Sequence, residues 1–152
     1  MKVVIASDHG GYRLKEELKA YIAGLGHDVA DYGTHSQDPV DYPDFAFLVA
    51  EAVAAGVADR GVMIDGIGAA SAIVANKVTG IRAASCSDTF TAAMSRAHND
   101  ANVLTLGARV VGSGLAQEIV RVWLSTQFEG GRHMRRVSKI LDFEARRLGS
   151  GR

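Results

Sequence analysis

The chain carries a single cysteine, Cys86, among 152 residues, so no disulfide can form within it. It has no surplus of charge: Lys plus Arg and Asp plus Glu each number 17. Non-specific binding to nucleic acid or to an acidic membrane surface needs a basic excess, so neither partner is expected. Long apolar runs are also missing. The N-terminal stretch MKVVIAS is broken at Asp8, too early for a signal-peptide core or a membrane span. A cytoplasmic location is the simplest expectation. There is no internal repeat, low-complexity tract or linker. The five histidines, His9, His27, His35, His98 and His133, show no metal-ligand spacing. The full dinucleotide fingerprint and the P-loop lysine are absent, and Ser71 lacks a G-x-S-x-G setting. These absences predict no metal and no acyl-enzyme chemistry.

What is present is apolar and periodic. A hydrophobic fraction of 47% supplies a core for one domain, expected over 1–148, with 149–152 as a flexible tail. Apolar runs at 2–7, 28–32, 60–65, 81–86 and 102–106 read as strands. Helical spacing covers about 11–25, 43–56, 69–77, 88–98, 113–125 and 132–147. Strand–helix alternation with nearly continuous Val/Ile/Ala strands predicts a five-stranded parallel sheet covered on both faces. That is a three-layer, doubly wound, Rossmann-like α/β fold. The last helix has no strand after it and is predicted to pack on a neighbouring subunit.

Four clusters fall where such a fold places chemistry. Asp65 ends the third strand and enters the small-residue turn Gly66, Ile67, Gly68, Ala69, Ala70, Ser71. The carboxyl end of a strand is where ligands bind in open α/β sheets. A turn of small residues leaves backbone N–H groups free for an anion. The Asp65 carboxylate is then a candidate proton acceptor. Asp8-His9-Gly10-Gly11 ends the first strand, with an acid and an imidazole to orient a hydroxyl or contact a phosphate; a plain helix cap is the bland alternative. Arg96-Ala97-His98-Asn99-Asp100 offers His98 as an acid/base and Asn99 as a donor to a sugar oxygen, against a simple helix-end role. GGRHMRR at 130–136 sets Arg132 and Arg136 on one helix face, an arrangement suited to phosphate, against a solvated basic face.

The segments ASDHGGYRLKEEL, VDYPDFA, IVANKVTGIRAA, RAHNDANVLTLGARVVG and FEGGRHMRRVSKI together resemble the ribose-5-phosphate isomerase B family, which includes the galactose-6-phosphate isomerase subunits. The resemblance runs from about residue 1 to 144. It implies a homodimer or homotetramer with active sites shared between subunits, no metal or cofactor, and aldose–ketose isomerisation of a sugar phosphate through a cis-enediol. It implies that Asp8 and His9 contact sugar and phosphate, that Tyr42 lines the pocket, and that His98 opens the sugar ring. Asn99 is implied as a substrate donor, and Arg109, Arg132 and Arg136 as phosphate ligands facing the partner subunit's glycine loop. That loop, 66–71, would cradle the enediolate oxygens rather than the phosphate.

The chain departs from the family pattern near the chemistry. Asp65 stands where a cysteine base is commonest, Ile67 where a ring-opening threonine is commonest, and Ser71 where another branch has a glutamate base. The DGIGAAS turn resembles that of the A subunit of galactose-6-phosphate isomerase, which acts with a paralogous partner. The leading expectation is isomerisation of ribose 5-phosphate and ribulose 5-phosphate with Asp65 as the carbon base and His98, aided by Asp8 or Ser71, opening the ring. The alternatives are another sugar phosphate, such as a tetrose phosphate, or a sugar-phosphate-binding paralogue without catalysis.

Overall fold

The structure is a computed structural model that describes residues 1–149. The elements run in the order β1 (Lys2–Ser7), α1 (Tyr12–Gly24), β2 (Asp28–Asp31), α2 (Tyr42–Ala54), β3 (Arg60–Asp65), α3 (Ala69–Ala75), β4 (Ala83–Ser85), α4 (Thr89–Asn99), β5 (Val103–Gly107), α5 (Ser113–Ser125) and α6 (Gly131–Gly149). The strands form one five-stranded sheet in the order β2-β1-β3-β5-β4, and every pairing is parallel. The expected strands and helices are all present, and their ends shift by a few residues. Gly149, expected in the tail, is the last residue of α6; the rest of that expected tail, 150–152, lies outside the described residues.

Alternation along the strands divides the core in two. Val3, Ile5, Val62, Ile64, Leu104 and Leu106 pack with α1 and α5, around Leu18, Ile22, Ile119 and the fully buried Trp123. Val4, Ala6, Met63 and Val103 face the other way, onto Val49 and Ala50 of α2 and Ala75 of α3. By the same period of two, Asp8 and Asp65 continue the second set. Both therefore reach the α2/α3 face at the carboxyl edge of the sheet. β1 and β3 are neighbours there, and the chain winds outward from them in opposite directions, which makes the crevice a topological switch point.

All strands run one way, so the helices return the chain to the opposite edge. α4 ends at Asn99 just before β5 begins at Val103, and β5 ends at Gly107, the register partner of Asp65. At about 3.3 Å per residue, the length of β5 separates His98 and Asn99 from Asp65 by roughly 15 Å. α6 lies across that lower edge. The Glu129 N–H donates to the Ala97 carbonyl just before it, and Glu144 near its other end accepts from the Gly80 N–H. Only His133 and Val137 of α6 are buried, while Met134, Ile140, Leu141, Phe143 and Leu148 are exposed.

A buried ion pair sets the upper edge. Lys15 has no exposed surface, and its Nζ lies 2.6 Å from Asp31 Oδ2 at the end of β2. Lys19 joins the same oxygen at 2.9 Å, and Asp31 Oδ1 accepts from the Gly33 N–H. Gly33 and Thr34 in turn bond the backbone of Ser7, the residue before Asp8. Burial alone would push the Asp31 carboxyl up, but the hydrogen bonds from Lys15, Lys19 and Gly33 hold it down, at about 2 against an ordinary 3.8.

Gly11 shows how tightly this edge is built: a Cβ there would lie 2.5 Å from the Ile64 carbonyl oxygen. Gly11→Ala is expected to lower unfolding free energy by about 1–3 kcal/mol in urea titration, the usual cost of forcing atoms into a packed contact. The depressed Asp31 pKa gives a second expectation. A carboxylate with a folded pKa below its unfolded one stabilises fully above the unfolded value and loses that contribution as pH falls through the folded value. Asp31→Asn is therefore expected to cost about 2 kcal/mol near neutrality. The gap from wild type should close as unfolding is measured from pH 4 down to about 2.

Candidate active site

The upper edge gathers the first half of the expected site. Asp65, 2% exposed, does not stand open in the turn. Its Oδ1 accepts from the N–H groups of Ile67 at 2.7 Å and Gly68 at 2.5 Å. Its Oδ2 accepts from the Ser71 N–H at 2.9 Å and from the Ser71 hydroxyl. An ionised carboxylate offers about four acceptor positions, and this one fills them within its own loop. Gly68 permits the turn with a φ of +80°, and a Cβ there would meet Ser85 Oγ at 2.8 Å. Ser71 is fully buried, Gly66 and Ala70 are half-buried, and Ile67 and Ala69 are exposed. To take a proton from carbon as expected from sequence, Asp65 would first have to release one of these donors. Ser71, whose hydroxyl is committed to Asp65, is likewise not free to assist ring opening.

Asp8 sits beside this loop. Its N–H donates to the Ile64 carbonyl, and its Oδ1 accepts from the Gly11 N–H at 3.0 Å. His9 is exposed, with Nδ1 3.2 Å from both the N–H and the carbonyl of Val40. Accepting from the N–H leaves a proton on Nε2; a protonated ring donates from both nitrogens, which suits a phosphate. Tyr42, on the rim, is the first residue of α2. Arg109 is exposed, and its Nε lies 3.9 Å from where a Gly66 Cβ would be. Within one chain it therefore belongs with the glycine loop, not with Arg132 and Arg136.

The lower edge holds the second half. The α4 end that carries His98 and Asn99 is fixed by Asp100, a left-handed residue with φ 48°, which pairs with Arg96 at 2.8 Å and Arg82 at 3.1 Å. Arg96 is buried, bonds the Ala101 carbonyl and lies over the Trp123 ring. Its role in RAHND is structural. The His98 ring stacks on that of His133, with centroids 4.1 Å apart and planes within 6°. Burial, then the neighbouring His98 and Arg132, push the His133 pKa down, so its Nε2 accepts from Arg132 Nε at 3.3 Å. Arg132 and Arg136 project from exposed positions one turn apart on α6.

The sequence reading missed His133 as the platform for His98. The spacing of 35 residues hides the stack, which arises because the FEGG turn folds back onto α4. It also missed that His98, Glu129 and His133 bring donor atoms within 4.8 Å of one another. Arg132 already donates into this group, and Arg136 lies one turn on along α6. Cys86 is buried, and burial raises its thiol to about 11, far from a reactive thiolate.

The two groups of residues lie at opposite edges of one sheet. Against known proteins, residues 3–140 match the Ribose/Galactose Isomerase family. Ribose-5-phosphate isomerase B of Escherichia coli is 49% identical over 146 residues, covering 96% of this chain and 98% of that protein. A D-erythrulose-4-phosphate isomerase of Pectobacterium atrosepticum is 42% identical over 148 residues, 95% of each chain. Among solved structures, Clostridium thermocellum ribose-5-phosphate isomerase B superposes with a TM-score of 0.94 at 54% identity, covering 96% of this chain and 99% of that one. Carrying that fold along nearly its full length, the chain belongs to the Ribose/Galactose Isomerase family.

Proposed function

We propose that the protein is an aldose–ketose isomerase of phosphorylated sugars, interconverting ribose 5-phosphate and ribulose 5-phosphate, in a site completed by a second copy of the chain. The observation that carries this reading is the separation of the two half-sites. Asp8, His9, Tyr42, Arg109 and the loop 66–71 occupy one edge of the sheet. His98, Asn99, Arg132 and Arg136 occupy the other, too far away to meet one substrate within a single chain. Exposed apolar side chains lie near both halves, among them Ile67, Phe90 and Val110 above and Met134, Ile140 and Phe143 on α6. Surface of this kind is what a second subunit covers. The reading is of a homodimer or larger homo-oligomer, and the absence from the described residues of any helix long and apolar enough to cross a membrane fits a cytoplasmic enzyme.

In the closed site, Arg132 and Arg136 of one subunit, with His9 and Arg109 of the other, hold the phosphate by charge-assisted hydrogen bonds. The phosphate fixes the reacting carbons beside the glycine loop, converting a diffusional encounter into a positioned one. His98, held against His133, protonates the ring oxygen as the cyclic sugar opens, and Asn99 donates to a sugar hydroxyl. Loop N–H groups stabilise the negative oxygen of the enediolate.

A second reading, a tetrose phosphate as substrate, is favoured by one feature. Ile67 brings no hydroxyl and the Ser71 hydroxyl is held by Asp65, so ring opening has less support than the phosphate grip does. A short sugar phosphate that stays open needs little such help, and a tetrose-phosphate enzyme is among the relatives. Initial rates of the purified protein on ribose 5-phosphate, ribulose 5-phosphate, erythrose 4-phosphate and erythrulose 4-phosphate decide between the two. The proposal expects the highest kcat/KM on the pentose pair.

Sharing of the site makes a sharper expectation. Asp8→Asn and His98→Asn should each be inactive alone, and mixing them with subunit exchange should restore about a quarter of wild-type activity. Random pairing of a dimer makes half of the pairs mixed, each with one intact site of two. No recovery on mixing would place both residues in the same site half. Arg132→Gln should raise KM by about 10- to 100-fold, the worth of one charge-assisted contact, with a smaller change in kcat.

A further inference from the structure

Two carboxylates stand at the switch point on the same face of the sheet, Asp65 as the last residue of β3 and Asp8 directly after the neighbouring β1, and their surroundings differ. Asp65 has both oxygens filled by four donors from residues 67, 68 and 71. Asp8 has one filled oxygen: Oδ1 accepts from Gly11, and among the described residues no donor is bonded to Oδ2. Asp8 is also 8% exposed, so it is not sealed away. Next to it, the missing side chain of Gly10 leaves a hollow. A Cβ there would lie 3.3 Å from Asp8 Oδ1 and 3.9 Å from the Gly66 nitrogen. The Gly66 N–H bonds no acceptor among the described residues. The hollow thus has the Asp8 carboxylate, through its Oδ1, on one side and an uncommitted donor on the other.

We infer that the two acids divide the labour: Asp8 carries the proton between the two substrate carbons, and Asp65 is a positioning residue that holds the loop whose N–H groups receive the oxyanion. The inference rests on the isomerase reading above and deepens it. In the aldose-to-ketose direction, Asp8 Oδ2 takes the proton from C2. The C2–H electron pair becomes the C1=C2 bond, and the carbonyl pair moves onto O1, where the Gly66 N–H is placed to donate. The O2 hydroxyl proton passes to O1. The electron pair left on O2 then forms the C2 carbonyl, and the C1=C2 pair takes the proton back from Asp8 at C1. Asp8 ends as it began, and no other reactant is consumed. The chain thereby meets the need for a base without the cysteine or glutamate common at 65 and 71, because position 65 performs a different task.

Chemical rescue separates a proton carrier from a loop anchor. Asp8→Asn keeps an oxygen to accept from Gly11 and so tests the role without opening the turn; its kcat should fall about a thousandfold. It should bind inorganic phosphate in calorimetry as the wild type does. Asp8→Gly leaves space for a small carboxylate, and formate should restore its turnover roughly tenfold or more, together with exchange of the substrate C2 proton into deuterated solvent. Asp65→Gly should also lose activity, with a lowered melting temperature and no recovery in formate. Formate rescue of Asp65→Gly but not of Asp8→Gly, or an Asp8→Asn enzyme with turnover near wild type, overturns the assignment alone. A wild-type protein inert on every aldose and ketose phosphate overturns the isomerase reading and this assignment with it.

Discussion

Parallel strands impose a polarity that no side chain can undo. Every residue that follows a strand lies at one edge of the sheet, and every residue that precedes one lies at the other. In this chain the acids, the glycine loop and Arg109 follow strands, whereas His98 and Asn99 precede β5 and the α6 arginines lie across the same edge. The thickness of the sheet, set by backbone rise per residue, keeps them apart. The separation of the two groups is thus a result of connectivity before it is a result of surface chemistry.

Rigidity is distributed to match. At the upper edge, the Asp65 carboxylate draws three backbone N–H groups and one hydroxyl inward, so the loop has a fixed shape before any ligand arrives. The Lys15–Asp31 pair passes order from α1 and β2 through Gly33 to the backbone of Ser7, one residue from the acid at position 8. At the lower edge, Arg96 and Arg82 grip Asp100 and so fix where α4 stops. Preorganised donors and fixed ring positions lower the reorganisation needed during reaction, which is the main route by which a site without a metal stabilises an oxyanion. His9, Arg109, Arg132 and Arg136, by contrast, are exposed.

The fold was legible because its signals are local. Strand runs such as VVIA and GVMI, and turn glycines such as Gly26 with φ +87°, act within a few residues of themselves. The parallel sheet followed from alternation alone. Within the site, residue types could be read but their engagement could not. Asp65 looks the same in sequence whether it faces a substrate or its own loop; only the path of residues 66–71 decides, and that depends on its five small residues and a positive φ at Gly68. The resemblance groups Arg109 with Arg132 and Arg136, yet within one chain the strand order puts it at the other edge. The stack of His98 on His133 needs a turn that brings α6 back against α4, which no spacing reveals. Lys15 reads as a surface lysine of an amphipathic helix, and its burial follows from the position of β2 at the sheet's edge.

The greasy stripe along α6 also has a meaning in time. It belongs to a helix that follows all five strands in the chain, so the strands emerge first and can close over their own core. Met134, Ile140, Phe143 and Leu148 are therefore offered to water only when the rest of the subunit can fold. A nascent chain is spared an early sticky segment, because the core-forming strands precede the stripe.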